Sequence, residues 1–132
     1  MNKEIFTSDR YFVVSDFLIS HGQLLLRSEK AKGHGVNIDI IFFGTTYMQL
    51  FTYLHGVTIR IAKNKGDIDY GSVSSHLSYK DNYLFEIETG KGEVYYIAAS
   101  FFKVYENELA FGETSLGVLH YKGREIEISS SL

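Results

Sequence analysis

The chain has 132 residues, 45% hydrophobic and 22% charged, with a formal net charge of −3. That length suits one domain with a core of its own, and the balance excludes the polar, highly charged composition of a disordered chain. The negative charge argues against nucleic acid as a partner, because duplex binding draws on Lys and Arg displacing counterions, and the absence of cysteine excludes disulfides, thiolate nucleophiles and zinc-thiolate sites.

The first residues lack the apolar centre of a signal peptide, and no run reaches the ~20 apolar residues of a spanning helix. A cytoplasmic protein with no membrane contact is therefore the expectation. There is no proline, and ten Tyr and ten Phe suit half-buried pleated surfaces.

Apolar residues alternate with polar ones along most of the chain, and His21-Gly22, Gly90-Lys91 and Lys122-Gly123 interrupt the pattern. Alternation broken by such dipeptides is the mark of antiparallel hairpins. A two-residue turn at His21-Gly22 pairs Leu18 with Leu25, Phe17 with Leu26 and Asp16 with Arg27. The opposite charges of the last pair favour that register by ~0.2–1 kcal/mol. Both faces of this hairpin carry apolar side chains near the turn, so cover on two sides is expected.

After the loop Lys30 to Gly35, the run Val36 to Phe43 is the most hydrophobic strand candidate. Val36, Ile38, Ile40 and Phe42 share one face. Asn37 and Asp39 lie on the other face in line with Ile41 and Phe43, two oxygen-bearing side chains at one end of an apolar stripe. The stretch 45–56 fits either a short helix near 46–55, with Tyr47, Leu50, Phe51 and Leu54 on one side, or a strand favoured by its Thr, Tyr and Phe content. Val57 to Ile61 alternates as a strand.

Residues 64–78 read as turns and an irregular connection. A hairpin about Gly90-Lys91 pairs Ile87 with Val94, Phe85 with Tyr96 and Tyr83 with Ala98, its acidic tip expected in solvent. Phe101 to Tyr105 is a strand, and a final hairpin about Lys122-Gly123 sets Leu119 opposite Ile126 and His120 opposite Glu125. The expected fold is a single all-β domain over residues 1–132, an antiparallel β-barrel or two-layer β-sandwich of about seven to ten strands.

No catalytic or cofactor motif stands on this frame. His21, His34, His55, His76 and His120 show neither HxH nor HxxxH spacing, so no metal site is expected. The carboxylate pairs Asp67/Asp69, Glu86/Glu88 and Glu106/Glu108 fall near turns or on solvent faces, where they serve solubility and edge protection. No GxSxG, GxGxxG or P-loop is present, and neither a catalytic residue nor a cofactor is assigned. The cluster Arg27, Lys30, Lys32 and His34 reads as a solvated hairpin end.

The leading candidate site is the face of Asn37 and Asp39, joined by His34 from the preceding loop and Tyr47 beyond the strand, as a patch for a ligand or partner. The competing reading is structural: both side chains hydrogen-bond a neighbouring strand or loop. The expected function is a non-enzymatic protein-binding module, such as a subunit, an adaptor or a neutralising protein, whose acidic balance suits a basic partner. The alternative is a small-molecule-binding barrel or compact enzyme with its ligand in the barrel mouth. Long aromatic strands without proline also predict a homodimer through sheet edges.

Overall fold

A computed structural model describes residues 4–30, 33–62, 82–117 and 122–132. They form nine strands: β1 (Glu4–Leu18), β2 (Gln23–Ser28), β3 (Asn37–Phe43), β4 (Tyr47–Gln49), β5 (Tyr53–Ile61), β6 (Tyr83–Glu88), β7 (Val94–Ala99), β8 (Phe101–Asn107) and β9 (Ile126–Ser130). All belong to one antiparallel sheet in the order β4-β7-β6-β5-β1-β2-β3-β8-β9, an open ladder ending in β4 and β9. The all-β expectation holds.

Two corners fold this ladder over on itself. The first is β1, whose N-terminal half pairs with β5 and whose C-terminal half pairs with β2. Its register shifts between Glu4 and Phe6, between Ser8 and Tyr11, and again between Val14 and Asp16. Such bulges bend a strand and sharpen its twist, so one segment serves both halves of the sheet.

At the second corner, β7 and β8 are separated by Ser100 alone, and β3 leads to β4 through Gly44, Thr45 and Thr46. The two segments turn together: Ser100 N donates to Phe43 O and Thr46 N to Ala98 O, both at 2.9 Å. Gly44 has φ +66°, and a Cβ there would lie 2.6 Å from Ser100 Oγ, so the corner requires glycine.

The halves β4-β7-β6-β5-β1 and β1-β2-β3-β8-β9 therefore face each other. Phe85 on β6 makes edge contacts with Phe42 on β3 and Phe102 on β8, at ring centroid distances of 5.6 and 5.4 Å. Those strands are remote in the ladder, so their rings meet only because the sheet doubles back. Phe12, Leu24, Leu26, Ile40, Leu54, Ile59, Ile87 and Ile97 complete the interior. Each such side chain contributes roughly 1.5–3 kcal/mol by leaving water.

As expected from their alternation, Ile38, Ile40 and Phe42 point inward, while Ile41 and Phe43 join Leu25, Tyr105 and Leu116 in a second apolar cluster on the outer face. Residues 108–117, which follow β8, lie over that face and supply Leu116 and the buried Ser115. We call this segment the strap.

Several sequence expectations are corrected. In the first hairpin Leu18 pairs with Gln23, Phe17 with Leu24 and Asp16 with Leu25, while Arg27 lies opposite Val13. The pairing of Leu18 with Gln23 leaves Ile19 to Gly22 as a four-residue loop, closed by Gly22 N to Ile19 O, in place of a two-residue turn. The second hairpin is one residue out: Ile87 pairs with Tyr95, Phe85 with Ile97 and Tyr83 with Ala99. Its turn is closed by Thr89 N to Glu93 O, which takes up one more residue and exchanges the faces of β7. Its tip stands in solvent as expected, with Gly90 to Val94 exposed, while its base is anchored by the buried Thr89 and by Gly90 N, which donates to His55 O at 2.7 Å.

The short helix near 46–55 is absent. That stretch is β4, a bend and the start of β5, with Tyr47 opposite Ala98. The Thr, Tyr and Phe content that suits pleated surfaces prevails over the helical spacing. Arg27 is not part of a solvated hairpin end, for it is buried, whereas His34 is exposed and Lys30 Nζ meets Glu108 O at the surface. The pairings at Leu119 and His120, together with Lys32, His76 and the 64–78 connection, lie outside the described residues. The partner of β9 is β8, with Ile126 opposite Glu106.

Candidate functional site

β3 carries Asn37 and Asp39 at alternate positions on its outer face, and the strap buries both completely. A buried carboxylate is tolerable only when paired and hydrogen-bonded. Asp39 meets that condition fully. Arg27, its cross-strand neighbour on β2, donates from Nε to Oδ1 at 2.7 Å and from Nη2 to Oδ2 at 2.8 Å. Asn107 Nδ2 and Ser115 Oγ also donate to Oδ2, at 2.8 and 2.6 Å. Burial draws the Arg27 guanidinium down, but the hydrogen bond and charge of Asp39, with Glu29 and Glu113, outweigh it and hold Arg27 above its ordinary pKa.

The third guanidinium nitrogen, Nη1, donates to Glu113 O on the strap. Asn37 works alongside: its Oδ1 accepts from Lys30 N, and its Nδ2 donates to Asn107 Oδ1 and Leu109 O. Asn107 Nδ2 reaches on to Gly123 O. The bonds to Ser115 Oγ, Glu113 O, Leu109 O and Gly123 O join the sheet to the segment after β8, and the others tie β2, β3, β8 and the loop after β2 to one another. This network anchors the strap, and its donors and acceptors are turned inward.

Of the four residues singled out in the sequence, the structure thus brings Asn37 and Asp39 into one network. His34 is exposed in the loop before β3. Tyr47 packs against a different cluster, Leu84 on β6, Ala98 on β7 and Ala62 just after β5.

The outer face nonetheless continues from Asp39 toward solvent. The pairings set Tyr105, Asp39, Arg27, Val13 and Tyr53 in one row across β8, β3, β2, β1 and β5. Beyond the strap this row opens onto exposed aromatic rings. Tyr11, Phe51 and Tyr53 are 45, 53 and 46% exposed. Tyr11 lies 6.1 Å from Tyr53 and 4.8 Å from the exposed ring of His55, its cross-strand partner, and Phe51 meets Tyr53 edge-on at 5.1 Å. These four rings make one continuous strip.

Between strip and strap lies a groove of about 460 Å³, lined by Val13, Leu25 and Arg27 of the sheet, by Asp16 and Glu29, and by Phe111 to Thr114 of the strap. The strip and groove were missed in the sequence. The available signal was that Tyr11, Tyr53 and His55 occupy the solvent-side positions of alternating strands, where polar residues are usual.

A further cleft of about 470 Å³ lies at the second corner, beside the stacked rings of Phe43 and Phe101, with the Arg124 guanidinium 5.9 Å from the Phe43 centroid. Among the described residues, no group of three or more His, Asp or Glu is placed to hold a metal, and no helix is long and apolar enough to cross a membrane. Comparison with protein-family models, curated proteins and solved structures yields no match.

Proposed function

We propose that this is a non-enzymatic, cytoplasmic protein-binding module whose partner is basic and docks on the outer face of β1 and β5. The observation that carries this reading is the strip Phe51, Tyr53, Tyr11 and His55, standing exposed on a sheet whose interior is filled by Phe12, Phe42, Phe85 and Phe102. Contiguous exposed aromatics mark interaction surfaces, and Tyr is enriched among the residues that dominate interface energies. The π faces of these rings attract Lys and Arg, and the net charge of −3 steers a cationic partner toward them.

The test compares the wild type with the Tyr11→Ser/Tyr53→Ser double variant as baits in a native extract, followed by titration of the purified partner. A docked Tyr is worth about 2 kcal/mol or more when it acts as an anchor, so the double variant is expected to lose the partner. Equal retention by both folded baits would overturn the reading. A second reading, small-ligand binding, is favoured by the corner cleft, whose size and stacked Phe43 and Phe101 suit a flat organic molecule. A thermal-shift screen that finds a saturable ligand lost in Phe101→Ala would support it.

The proposal extends to self-association through β9, which ends the ladder and exposes Ile126 and Ile128. Sedimentation is expected to show a mass that rises with concentration and falls back in Ile128→Lys. A monomer mass at all concentrations would remove this part.

A further inference from the structure

Charge in the groove beside the strap is unbalanced. Its buried cation, Arg27, is fully engaged, with Nε and Nη2 on Asp39 and Nη1 on Glu113 O. Glu113 has its own cation, since Lys122 Nζ lies 2.7 Å from Oε2. Asp16 Oδ1 accepts a hydrogen bond from Phe17 N. Among the described residues, neither Asp16 nor Glu29 has a cation within ion-pair distance. Two carboxylates thus border the groove without an ion-pair partner of their own, Glu29 acting on Arg27 only from beyond contact distance.

The geometry around them is fixed. The bulge between Val14 and Asp16 sets the direction of Asp16 relative to the regular part of β1. Arg10 holds the Glu29 backbone through Nη2 donation to Glu29 O at 3.1 Å and also bonds Ser28 and Val36. On the far side a turn closed by Glu113 N to Ala110 O holds up Phe111, 89% exposed at the rim. Two carboxylates, aliphatic groups and an exposed ring lining one groove suit the guanidinium, which forms forked bonds to carboxylates and stacks on aromatic faces.

We infer that this groove receives an arginine side chain of the docked partner, with Asp16 and Glu29 as its counter-charges and Phe111 as its stacking face. The inference rests on the protein-docking reading of the adjoining strip, and it places the partner's basic residue one strand from Tyr53, since Val13 pairs with both Tyr53 and Arg27. Arginine fits better than lysine because a planar head stacks on a ring while its edge addresses two separate carboxylates.

Acetyl-Gly-Arg-Gly-amide, titrated into isotope-labelled protein and followed by NMR, tests the inference without the partner. Saturable shifts are expected at the amides of Val13 to Asp16, Glu29 and Phe111 to Thr114, weakened about two- to fivefold by Asp16→Asn and by Glu29→Gln, as for partly exposed ion pairs. The citrulline peptide, which keeps the shape and loses the charge, is expected to give none. Equal shifts from both peptides, no saturable shifts at these amides, or indifference to both variants would each overturn the assignment. The Tyr11→Ser/Tyr53→Ser variant is expected to lose the partner yet still bind the arginine peptide. Failure of the groove and failure of the strip are therefore read separately.

Discussion

Replacing Asp39 by alanine is expected to destabilise the protein by about 3–5 kcal/mol, because it leaves a buried guanidinium without its counter-charge. The side chains of Arg27 and Asp39 are only 3 and 0% exposed, so water cannot take over the lost bonds. Asn107 Nδ2 and Ser115 Oγ lose their shared acceptor in the same step. A natural domain of this size has only about 5–15 kcal/mol to lose, so the midpoint of urea denaturation should fall far.

Arg27→Met should cost a similar amount, for it strands the carboxylate. The pair Arg27→Met/Asp39→Leu is expected to lose much less than the two single losses added together, because no charge is left buried alone. It should not return fully to wild type, since Arg27 also holds Glu113 O and Asp39 also holds the strap through Ser115. A loss under about 1 kcal/mol for Asp39→Ala would mean that water reaches the pair and that the strap is not held by it. Proteolysis within residues 108–117 gives an independent reading, with faster cleavage expected in both single variants.

That network explains how much of the molecule was legible from sequence. The two faces of β3 were, because Ile38, Ile40 and Phe42 alternate strictly with Asp39 and Ile41 and a period of two leaves no choice of side. The oddity of Asn37 and Asp39 in an apolar stripe was legible too. Their partners were not, for Asn107 and Ser115 lie 68 and 76 residues beyond Asp39 and reach it only once the chain has returned through β8.

Arg27 shows the limit of local rules. Opposite charge across an assumed turn chose Asp16 for it, whereas the ladder gives it Asp39. The error began at the turn, where Ile19 to Gly22 form a four-residue loop closed by Gly22 N to Ile19 O, so the register moves by two residues from that of a two-residue His21-Gly22 turn. The aromatic strip escaped for a related reason: Tyr11 and His55 are neighbours only through the β1–β5 pairing, and an abundance of Tyr and Phe reads first as core.

Phe85→Ala is the second large expected effect, again about 3–5 kcal/mol, and it tests the doubling of the sheet rather than the strap. Phe85 is fully buried and touches Phe42 and Phe102, so its ring joins β6 to the facing half of the sheet. Truncation removes apolar area and two edge-on aromatic contacts, each worth about 0.5–1.5 kcal/mol beyond burial. The remaining void is bounded by β3, β6 and β8, whose ladder bonds restrain them from closing over it.

Phe85→Leu keeps most of the apolar volume and is expected to cost clearly less. Tyr83, next but one along β6 and 43% exposed, serves as a control: Tyr83→Ala removes a ring of similar size from a position that solvent already reaches. If the two halves pack as described, Phe85→Ala lowers the denaturation midpoint far more than Tyr83→Ala. Comparable losses would mean that the layers are held together elsewhere. The two largest effects are also expected to add, since the Arg27–Asp39 pair lies on the outer face of β2 and β3 and the Phe85 contacts lie inside. A combined Phe85→Ala/Asp39→Ala loss well below the sum would show that the strap and the interior are one cooperative unit.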